Sequence, residues 1–397
     1  STSSSATTNA SDTSSSNTSS GNTSASLSSS SSSNDSTSSD SSTTDASSST
    51  SERKVAVEVE PNDEDANLIS INTVLSGQLS SNADVDWFYL SVGEPGTLTF
   101  GFDSSEFSNF NDYIIDIIDQ DGNVLAADYC ERYDPCDGSI GDTTQSLEFK
   151  TGLSSSGNYF VRIRSSSFYS SGAPSSAYEI SYTFANSTAG VEFEPNDDSA
   201  MGVLSGEPIV AQLSSNADID WYYISAEASG TLTFQFDSVN FNNFNDYIIE
   251  IIDGDGNVLA GDHCERYDPC DGSLNDSTQS LVLEVALSGS GNYFVRIKST
   301  TSYSLGAPSS SYKVKMSYSS EVGGVESEPN DSKVLADLAS LNQVLGGQLS
   351  SNADADWYYV SANGAGTLTL NFDASSFNNF NDYLIDILDS EGNVLAG

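Results

Sequence analysis

The chain has 397 residues, with 57 acidic and 12 basic side chains, and its formal net charge is −45. A surface this acidic repels nucleic acid and anionic membranes and attracts divalent cations, so we expect no nucleic-acid partner. No apolar run approaches the ~20 residues of a membrane span, and the one histidine, His263, argues against zinc sites and Ser-His-Asp catalysis in this chain.

The first segment of the chain, residues 1–51, consists almost entirely of Ser, Thr, Asn, Asp, Ala and Gly. Leu27 is its only large apolar side chain. Such a segment buries too little surface to offset the entropy of ordering, which predicts a disordered tether. Tethers of this kind commonly follow the lipid-modified cysteine of bacterial lipoproteins, so we expect a lipid anchor upstream of Ser1.

The rest of the chain repeats itself. The sequence Glu-x-Glu-Pro-Asn-Asp occurs three times, and the intervals 194 − 60 and 328 − 194 are both 134 residues. This period predicts repeat 1 at 55–185, repeat 2 at 191–319 and the first half of a third repeat at 325–397. Short β-branched and aromatic runs, separated by Gly, Asn, Asp and Ser, recur in each repeat, and no segment has a convincing helical pattern. We therefore predict an all-β protein of tandem antiparallel β-sandwiches.

The acidic residues of each repeat follow a fixed pattern. In an extended Glu-x-Glu-Pro-Asn segment, both Glu side chains and the Asn share one face, and the proline allows a turn that brings the next Asp to the same point. A second acidic sequence, Asp-x-Asp-Trp, follows in every repeat. Hard oxygen ligands of this kind suit Ca²⁺. The alternative for Asp-x-Asp-Trp is a turn before a strand whose Trp enters the core. For the Trp we favour this alternative, and for the two carboxylates we favour Ca²⁺.

We therefore predict that each repeat binds Ca²⁺ through these acidic residues. The predicted ligands are Glu58, Glu60, Asn62, Asp63, Asp84 and Asp86 in repeat 1, Glu192, Glu194, Asn196, Asp197, Asp218 and Asp220 in repeat 2, and Glu326, Glu328, Asn330, Asp331, Asp354 and Asp356 in repeat 3.

The four cysteines form two C-x5-C pairs at matching places in repeats 1 and 2. With no histidine in the first pair and only His263 beside the second, the spacing favours local disulfides over a metal site. We predict the disulfides Cys130–Cys136 and Cys264–Cys270, which imply an oxidising compartment.

A third acidic pattern, Asp-x-Asp-Gly-Asn, occurs at Asp253–Asn257 and at the matching places of the other repeats, with Glu at its third position in repeat 3. It resembles the start of an EF-hand loop, but the glutamate that would close such a loop is missing. We predict a hairpin turn with glycine at positive φ.

The order of these sequences carries a resemblance. Glu-Pro-Asn-Asp, Gly-Gln-Leu, Asp-x-Asp-Trp-Tyr-Tyr, Gly-Thr-Leu-Thr and Gly-Asn-Tyr-Phe-Val-Arg-Ile, in this order, resemble the bacterial pre-peptidase C-terminal domain, a family similar to the collagen-binding domains of clostridial collagenases. The resemblance covers repeats 1 and 2 and the first half of repeat 3. It implies a jelly-roll-like β-sandwich attached to secreted enzymes and surface proteins. It also implies calcium between the first acidic segment and the following acidic loop, on the residues named above.

The sequence thus predicts a non-catalytic calcium-binding repeat protein, secreted or on a bacterial cell surface. Its role would be spacing, adhesion or substrate attachment, with an extracellular protein or polysaccharide as ligand. One alternative is an accessory region of a secreted peptidase or other hydrolase whose catalytic domain lies outside this chain. Another is a carbohydrate-binding module, which the many aromatic residues favour.

Overall fold

The structure is a computed structural model that describes residues 55–63, 65–104, 113–130, 145–165, 175–239, 247–264, 270, 278–299, 310–321, 323–351, 353–374 and 383–397. The regular elements of these residues are all strands, which confirms the all-β prediction. The described residues contain no helix of the length and apolarity that crossing a membrane requires. The predicted tether at 1–51 lies outside the described residues.

Repeat 1 is a β-sandwich of two five-stranded sheets. Its described strands are β1 (Val55–Val57), β2 (Asn67–Leu68), β3 (Val74–Gly77), β4 (Val85–Val92), β5 (Gly96–Ser104), β6 (Tyr113–Ile118), β7 (Val124–Cys130), β8 (Gln145–Leu153), β9 (Gly157–Arg164) and β10 (Tyr178–Ala185). The sheet orders are β1-β3-β10-β5-β8 and β2-β4-β9-β6-β7. All neighbours are antiparallel except the short edge strands β1 and β2, which pair parallel to β3 and β4. The eight longer strands have the order of a jelly roll.

Repeat 2 has the same architecture. Its described strands are β11 (Met201–Gly202), β12 (Pro208–Ala211), β13 (Ile219–Ala226), β14 (Gly230–Val239), β15 (Tyr247–Ile252), β16 (Val258–Cys264), β17 (Thr278–Leu287), β18 (Gly291–Lys298) and β19 (Tyr312–Ser319). They form the sheets β12-β19-β14-β17 and β11-β13-β18-β15-β16. Each sandwich encloses its own hydrophobic core.

The alternation of inward and outward side chains along each strand determines which residues form the core. In β4, Phe88 and Leu90 are buried, while Trp87 and Tyr89 lie on the outer face of the sheet. The sequence alternative that placed this Trp in the core is wrong. Because side chains alternate with period two, the position that turns Phe88 inward also turns Asp86 inward and Trp87 outward.

Residues 325–397 form only short pieces of this fold. Their strands are β20 (Asp337–Leu338), β21 (Tyr358–Tyr359), β22 (Ile387–Leu388) and β23 (Val394–Ala396). Phe372 is 54% exposed, whereas its counterparts Phe102 and Phe236 are 0% exposed.

One predicted disulfide is present, between Cys264 and Cys270, whose Cα atoms are 4.7 Å apart. Cys130, at the end of β7, is also disulfide-bonded. Cys136, its predicted partner, lies outside the described residues.

Candidate metal centre

The site of repeat 2 lies where the Glu-x-Glu-Pro-Asn-Asp segment passes from one sheet to the other. The segment first runs beside β12, with the Glu192 amide donating to the Val210 carbonyl at 3.0 Å. The peptide bond before Pro195 is cis, as it is before Pro61 and Pro329. Asp220 is the second residue of β13, and its side chain points into the sandwich. The strand therefore delivers this carboxylate to the end of the acidic segment.

Three carboxylates meet at this point in every repeat, and in each set one oxygen per residue lies within 4.8 Å of the others. The sets are Glu58, Glu60 and Asp86 (acidic cluster 1), Glu192, Glu194 and Asp220 (acidic cluster 2), and Glu326, Glu328 and Asp356 (acidic cluster 3). In repeat 3, Glu328 also lies in a second such set with Asp331 and Asp354.

Acidic cluster 2 is removed from water. Its residues Glu192, Glu194 and Asp220 are 4%, 7% and 0% exposed. Among the described residues, no lysine or arginine forms an ion pair with them. The arginines are used elsewhere, as where Arg162 pairs with the buried Asp116 at 2.7 Å. Acidic cluster 2 therefore holds buried carboxylates without a compensating charge from the described chain.

Individual oxygen atoms of the clusters also lack partners. Glu194 Oε1 and Asp220 Oδ1 are buried, and when both groups are ionised no hydrogen-bond donor in the described part of the chain reaches them. The same holds for Glu328 Oε1 and Asp356 Oδ1 in acidic cluster 3. In acidic cluster 2, a proton on one of the two groups would let Glu194 and Asp220 hydrogen-bond each other. A buried acceptor without a partner destabilises the fold, so such atoms indicate a missing ligand.

The asparagine of the segment positions the two glutamates. Asn196 donates from its backbone amide to Glu194 Oε2 and from Nδ2 to Glu192 Oε1, both at 2.8 Å. Its Oδ1 accepts a hydrogen bond from the Trp221 amide at 3.2 Å. The side-chain oxygen is therefore turned to the backbone of β13, and the amino group faces the carboxylates. Asn330 makes the corresponding bonds in repeat 3.

The two remaining predicted ligands of repeat 2 lie beside acidic cluster 2. Asp197 is exposed, and its Oδ1 accepts a hydrogen bond from the Ile219 amide at 3.0 Å. Asp218 is buried, and its Oδ2 accepts one from the Ser214 amide at 2.6 Å. In repeat 1, Asp63 and Asp84 accept the equivalent bonds. These aspartates close the loop around the cluster.

Tyrosines complete the site, and the sequence reasoning missed them. The Tyr222 hydroxyl donates to Glu192, and the Tyr312 hydroxyl donates to Asp220. In repeat 1, Tyr178 donates to Asp86 in the same way. The signal in the sequence was the recurrence of Tyr178 as Tyr312, at the start of the last strand of both sandwiches.

Burial changes the acidity of the clusters. Burial raises the pKa of Glu58 to about 7 and that of Asp86 to about 8. In repeat 2, burial and then the charge of Glu192 raise the pKa of Glu194 to about 10. The pKa of Asp220 is raised well above its usual range, first by burial and then by the charge of Glu192. Without a cation, these groups hold protons that a bound cation would displace.

The Asp-x-Asp-Gly-Asn sequence of repeat 2 is a hairpin turn, as predicted. Asp253 Oδ1 accepts hydrogen bonds from the backbone amides of Asp255 and Asn257, both at 2.9 Å. Asp253 Oδ2 accepts a hydrogen bond from Asn257 Nδ2 at 2.8 Å. Gly256 has a φ of 90°. The turn uses both carboxylate oxygens of Asp253.

Comparison with known proteins gives no family. No protein-family model and no curated protein matches the chain. Solved structures that match the chain include the ANXUR2 extracellular domain from Arabidopsis thaliana, with a TM-score of 0.21 and 9% identity over 62% of this chain and 83% of that one. The N-terminal CBM22-1–CBM22-2 tandem domain of Xyn10C from Paenibacillus barcinonensis has a TM-score of 0.20 and 8% identity over 58% and 82%. The human MASP-1/3 CUB1-EGF-CUB2 domain has a TM-score of 0.18 and 11% identity over 61% and 99%. Likeness at this level assigns no function to the chain.

Proposed function

We propose that this protein is a non-catalytic extracellular or cell-surface repeat protein, whose β-sandwiches each bind Ca²⁺ and serve as spacer, adhesion or attachment modules. The observation that carries the proposal is the recurrence of buried, unpartnered carboxylate oxygens at the same place in successive repeats. Carboxylates that only repel one another would not be expected to recur in the interior of a stable fold.

The clusters fit a calcium ion. Ca²⁺ takes six to eight oxygen ligands at about 2.3–2.6 Å, so two ligands on opposite sides of the ion lie about 4.6–5.2 Å apart. The oxygens of each cluster fall within 4.8 Å of one another. Glu192, Glu194 and Asp220 would hold the ion in repeat 2, with Asn196 and the tyrosines orienting them. The ion would offset two of the three negative charges of the ionised cluster and satisfy Glu194 Oε1 and Asp220 Oδ1.

Other cations fit less well. Zn²⁺ prefers histidine and cysteine ligands, and the clusters contain only carboxylates. Mg²⁺ dehydrates reluctantly and keeps several waters, which suits an open site better than the buried acidic cluster 2.

The extracellular assignment rests on a disulfide bond. The Cys264–Cys270 disulfide is stable in an oxidising compartment. A structural role follows from repetition, since the same cluster in successive sandwiches suits stability better than a unique active site. Membership in the pre-peptidase C-terminal family, and attachment to a hydrolase, stay predictions from the sequence.

The carbohydrate-binding alternative would use an open aromatic face. On the outer sheet of repeat 2, the Arg296 guanidinium covers the Trp221 ring at 5.3 Å, and Phe294 packs edge-on against it at 6.4 Å. Because this indole face is already covered, we favour the spacer and attachment role.

Calorimetric titration of the EDTA-stripped chain with CaCl₂ and with MgCl₂ tests the proposal. We expect calcium to bind more tightly than magnesium, and Glu194→Gln to remove one calcium equivalent. The matched control, Asp198→Asn, removes one charge from an exposed neighbour outside the cluster and should keep the full stoichiometry. The proposal is wrong if the stripped chain binds no calcium.

A further inference from the structure

The acidic segment of repeat 2 is hydrogen-bonded on both of its edges. On one side, the Glu192 amide donates to Val210 beside β12 of its own repeat. On the other side, the Glu192 carbonyl accepts the Gly152 amide at 2.8 Å. Gly152 belongs to β8, the edge strand of a sheet in repeat 1. One residue of acidic cluster 2 thus joins a sheet of repeat 1 to a sheet of repeat 2.

The next junction is built in the same way. The Glu326 amide donates to Gly346 at 2.9 Å, and the Glu326 carbonyl accepts the Ala286 amide at 3.2 Å. Ala286 lies on β17, the edge strand that corresponds to β8. Val258 of repeat 2 also lines a cleft with Glu328 and Asp331 of repeat 3. Because two junctions share the arrangement, we treat it as a feature of the repeat.

At each junction, the residue on the edge strand and the residue that faces it have complementary sizes. A Cβ on Gly152 would lie 2.5 Å from the Glu192 carbonyl oxygen and 2.8 Å from the Phe193 ring. The second junction has Ala286 and Ser327 at these two positions, and its hydrogen bond is longer, at 3.2 Å against 2.8 Å. Glycine therefore accompanies the large Phe193, and alanine accompanies the small Ser327.

Contact with a preceding sandwich coincides with burial of the acidic cluster. In repeat 1, which residues 1–54 precede, Glu58 is half-buried and Glu60 is exposed. Their counterparts in repeats 2 and 3 are all buried. Docking of one repeat on the next therefore removes water from the cluster of the following repeat.

We propose that the Glu-x-Glu segment is shared between two functions, so that cation binding and the docking of successive repeats stabilise each other. The carboxylate of its first glutamate completes the cation cluster of its own repeat, and the carbonyl of the same residue closes the sheet junction to the preceding repeat. The edge strands β8 and β17 are the docking surfaces for the following sandwich. This inference rests on the proposed calcium binding, and reciprocity follows because the two events are thermodynamically linked.

Hydrogen-exchange mass spectrometry on the full chain measures the coupling directly. With calcium, the Gly152 amide should exchange about fivefold more slowly than in EDTA, which corresponds to about 1 kcal/mol for one hydrogen bond. Gly152 belongs to repeat 1, so a change there does not report on the interior of repeat 2. The variants below separate an effect of the junction from an effect of calcium bound to acidic cluster 1 of repeat 1 itself.

Two matched variants assign the effect to a cluster. Asp220→Asn, in acidic cluster 2, should remove the calcium effect at Gly152 and leave that at Ala286. Asp356→Asn, in acidic cluster 3, should do the reverse. An effect of either variant on both amides would contradict coupling through the individual junctions.

A second pair of variants tests the junction without touching a carboxylate. Gly152→Ala should weaken calcium binding to repeat 2 by about fivefold, because the added methyl group displaces a junction hydrogen bond worth about 1 kcal/mol. Adding Phe193→Ser recreates the Ala and Ser pair of the second junction and should restore the affinity. Unchanged affinity in Gly152→Ala would overturn the coupling.

The outcomes separate the two proposals. If titration shows calcium binding while the Gly152 amide exchanges equally with and without calcium, the coupling is wrong and the proposed function stands. If titration shows no calcium binding, the proposed function is wrong and the coupling falls with it.

Discussion

Asp116 and the acids of acidic cluster 2 are all buried, but their surroundings differ. Asp116 lies on the sheet with Arg162 and Arg164, and the Arg162 Nε bond to its carboxylate measures 2.8 Å. Glu194 and Asp220 are equally buried but receive no such cation from the described chain. The contrast indicates that an external cation takes the place of arginine in the acidic clusters.

The replacement Asp220→Asn separates a structural acid from a metal ligand. Burial raises the pKa of Asp220 well above its usual range, so in the calcium-free protein the amide replaces a protonated carboxyl group. The calcium-free protein should therefore unfold at the same or a higher temperature. Loss of a charged ligand should weaken calcium binding by at least about tenfold, or about 1.4 kcal/mol. Thermal scans with EDTA measure the effect on the calcium-free protein, and scans with calcium measure how much of the stabilisation by calcium is lost. A lower melting temperature in EDTA would show that Asp220 stabilises the fold without a cation.

The raised pKa values predict that the calcium-free protein becomes less stable as the pH rises. A carboxyl whose pKa is higher in the folded than in the unfolded state stabilises the fold fully below its unfolded pKa, and this stability is lost as the pH rises through the folded pKa. The relevant pKa values are about 7 for Glu58 and Glu328 and about 8 for Asp86 and Glu326, all raised chiefly by burial.

Without calcium, the melting temperature should therefore fall between about pH 5 and pH 8. With calcium, most of this fall should disappear, because the ion favours the deprotonated clusters. A smaller fall should persist, since burial also raises the pKa of Asp128, outside the clusters, to about 8. Thermal scans across this range, with EDTA and with calcium, give the comparison. Identical pH profiles in the two solutions would contradict the account.

At the scale of elements, local hydrogen bonds decide which acidic sequences are free to bind a cation. The Asp-x-Asp-Gly-Asn turn between β15 and β16 occupies the oxygens of Asp253 with its own amides. In acidic cluster 2, by contrast, strand β13 brings Asp220 to the acidic segment from further along the chain. When the cluster is ionised, no donor in the part of the chain that the structure describes reaches Asp220 Oδ1.

The turn should therefore matter for stability and not for calcium. Asp253→Ala removes the acceptor of three hydrogen bonds and should destabilise repeat 2 by about 1–2 kcal/mol. Chemical denaturation measures this loss, and calorimetric titration should find the calcium stoichiometry unchanged. Loss of one calcium equivalent would restore the EF-hand-like interpretation of this sequence.

For the whole molecule, the alternation of side chains made the β-sandwich class predictable. The spacing of the acids predicted that Glu192, Glu194 and Asp220 would meet. It could not predict the orientation of Asn196, because that depends on the Trp221 amide across the sandwich. Nor could it predict the hydroxyl of Tyr312, which lies 92 residues beyond Asp220.

The sequence also could not predict the junction between repeats. It is made by a backbone hydrogen bond from Gly152 to Glu192, and backbone groups carry no sequence signature. Gly152 and Phe193 at the first junction correspond to Ala286 and Ser327 at the second. This difference can be interpreted only when the contact between the two residues of each pair is known. The net charge of −45 adds a further effect at this scale, because repulsion between repeats favours separation unless cations reduce it.

Differential scanning calorimetry of the full chain, in EDTA and then in excess calcium, tests most directly whether the buried acidic clusters hold Ca²⁺. At a free calcium concentration a hundredfold above the dissociation constant, each bound ion should stabilise its sandwich by about 2.7 kcal/mol. We expect a clear rise in the melting temperature of repeats 1 and 2 with calcium, and a smaller rise when Glu194→Gln removes one ligand. Superimposable scans in EDTA and in calcium would contradict this expectation.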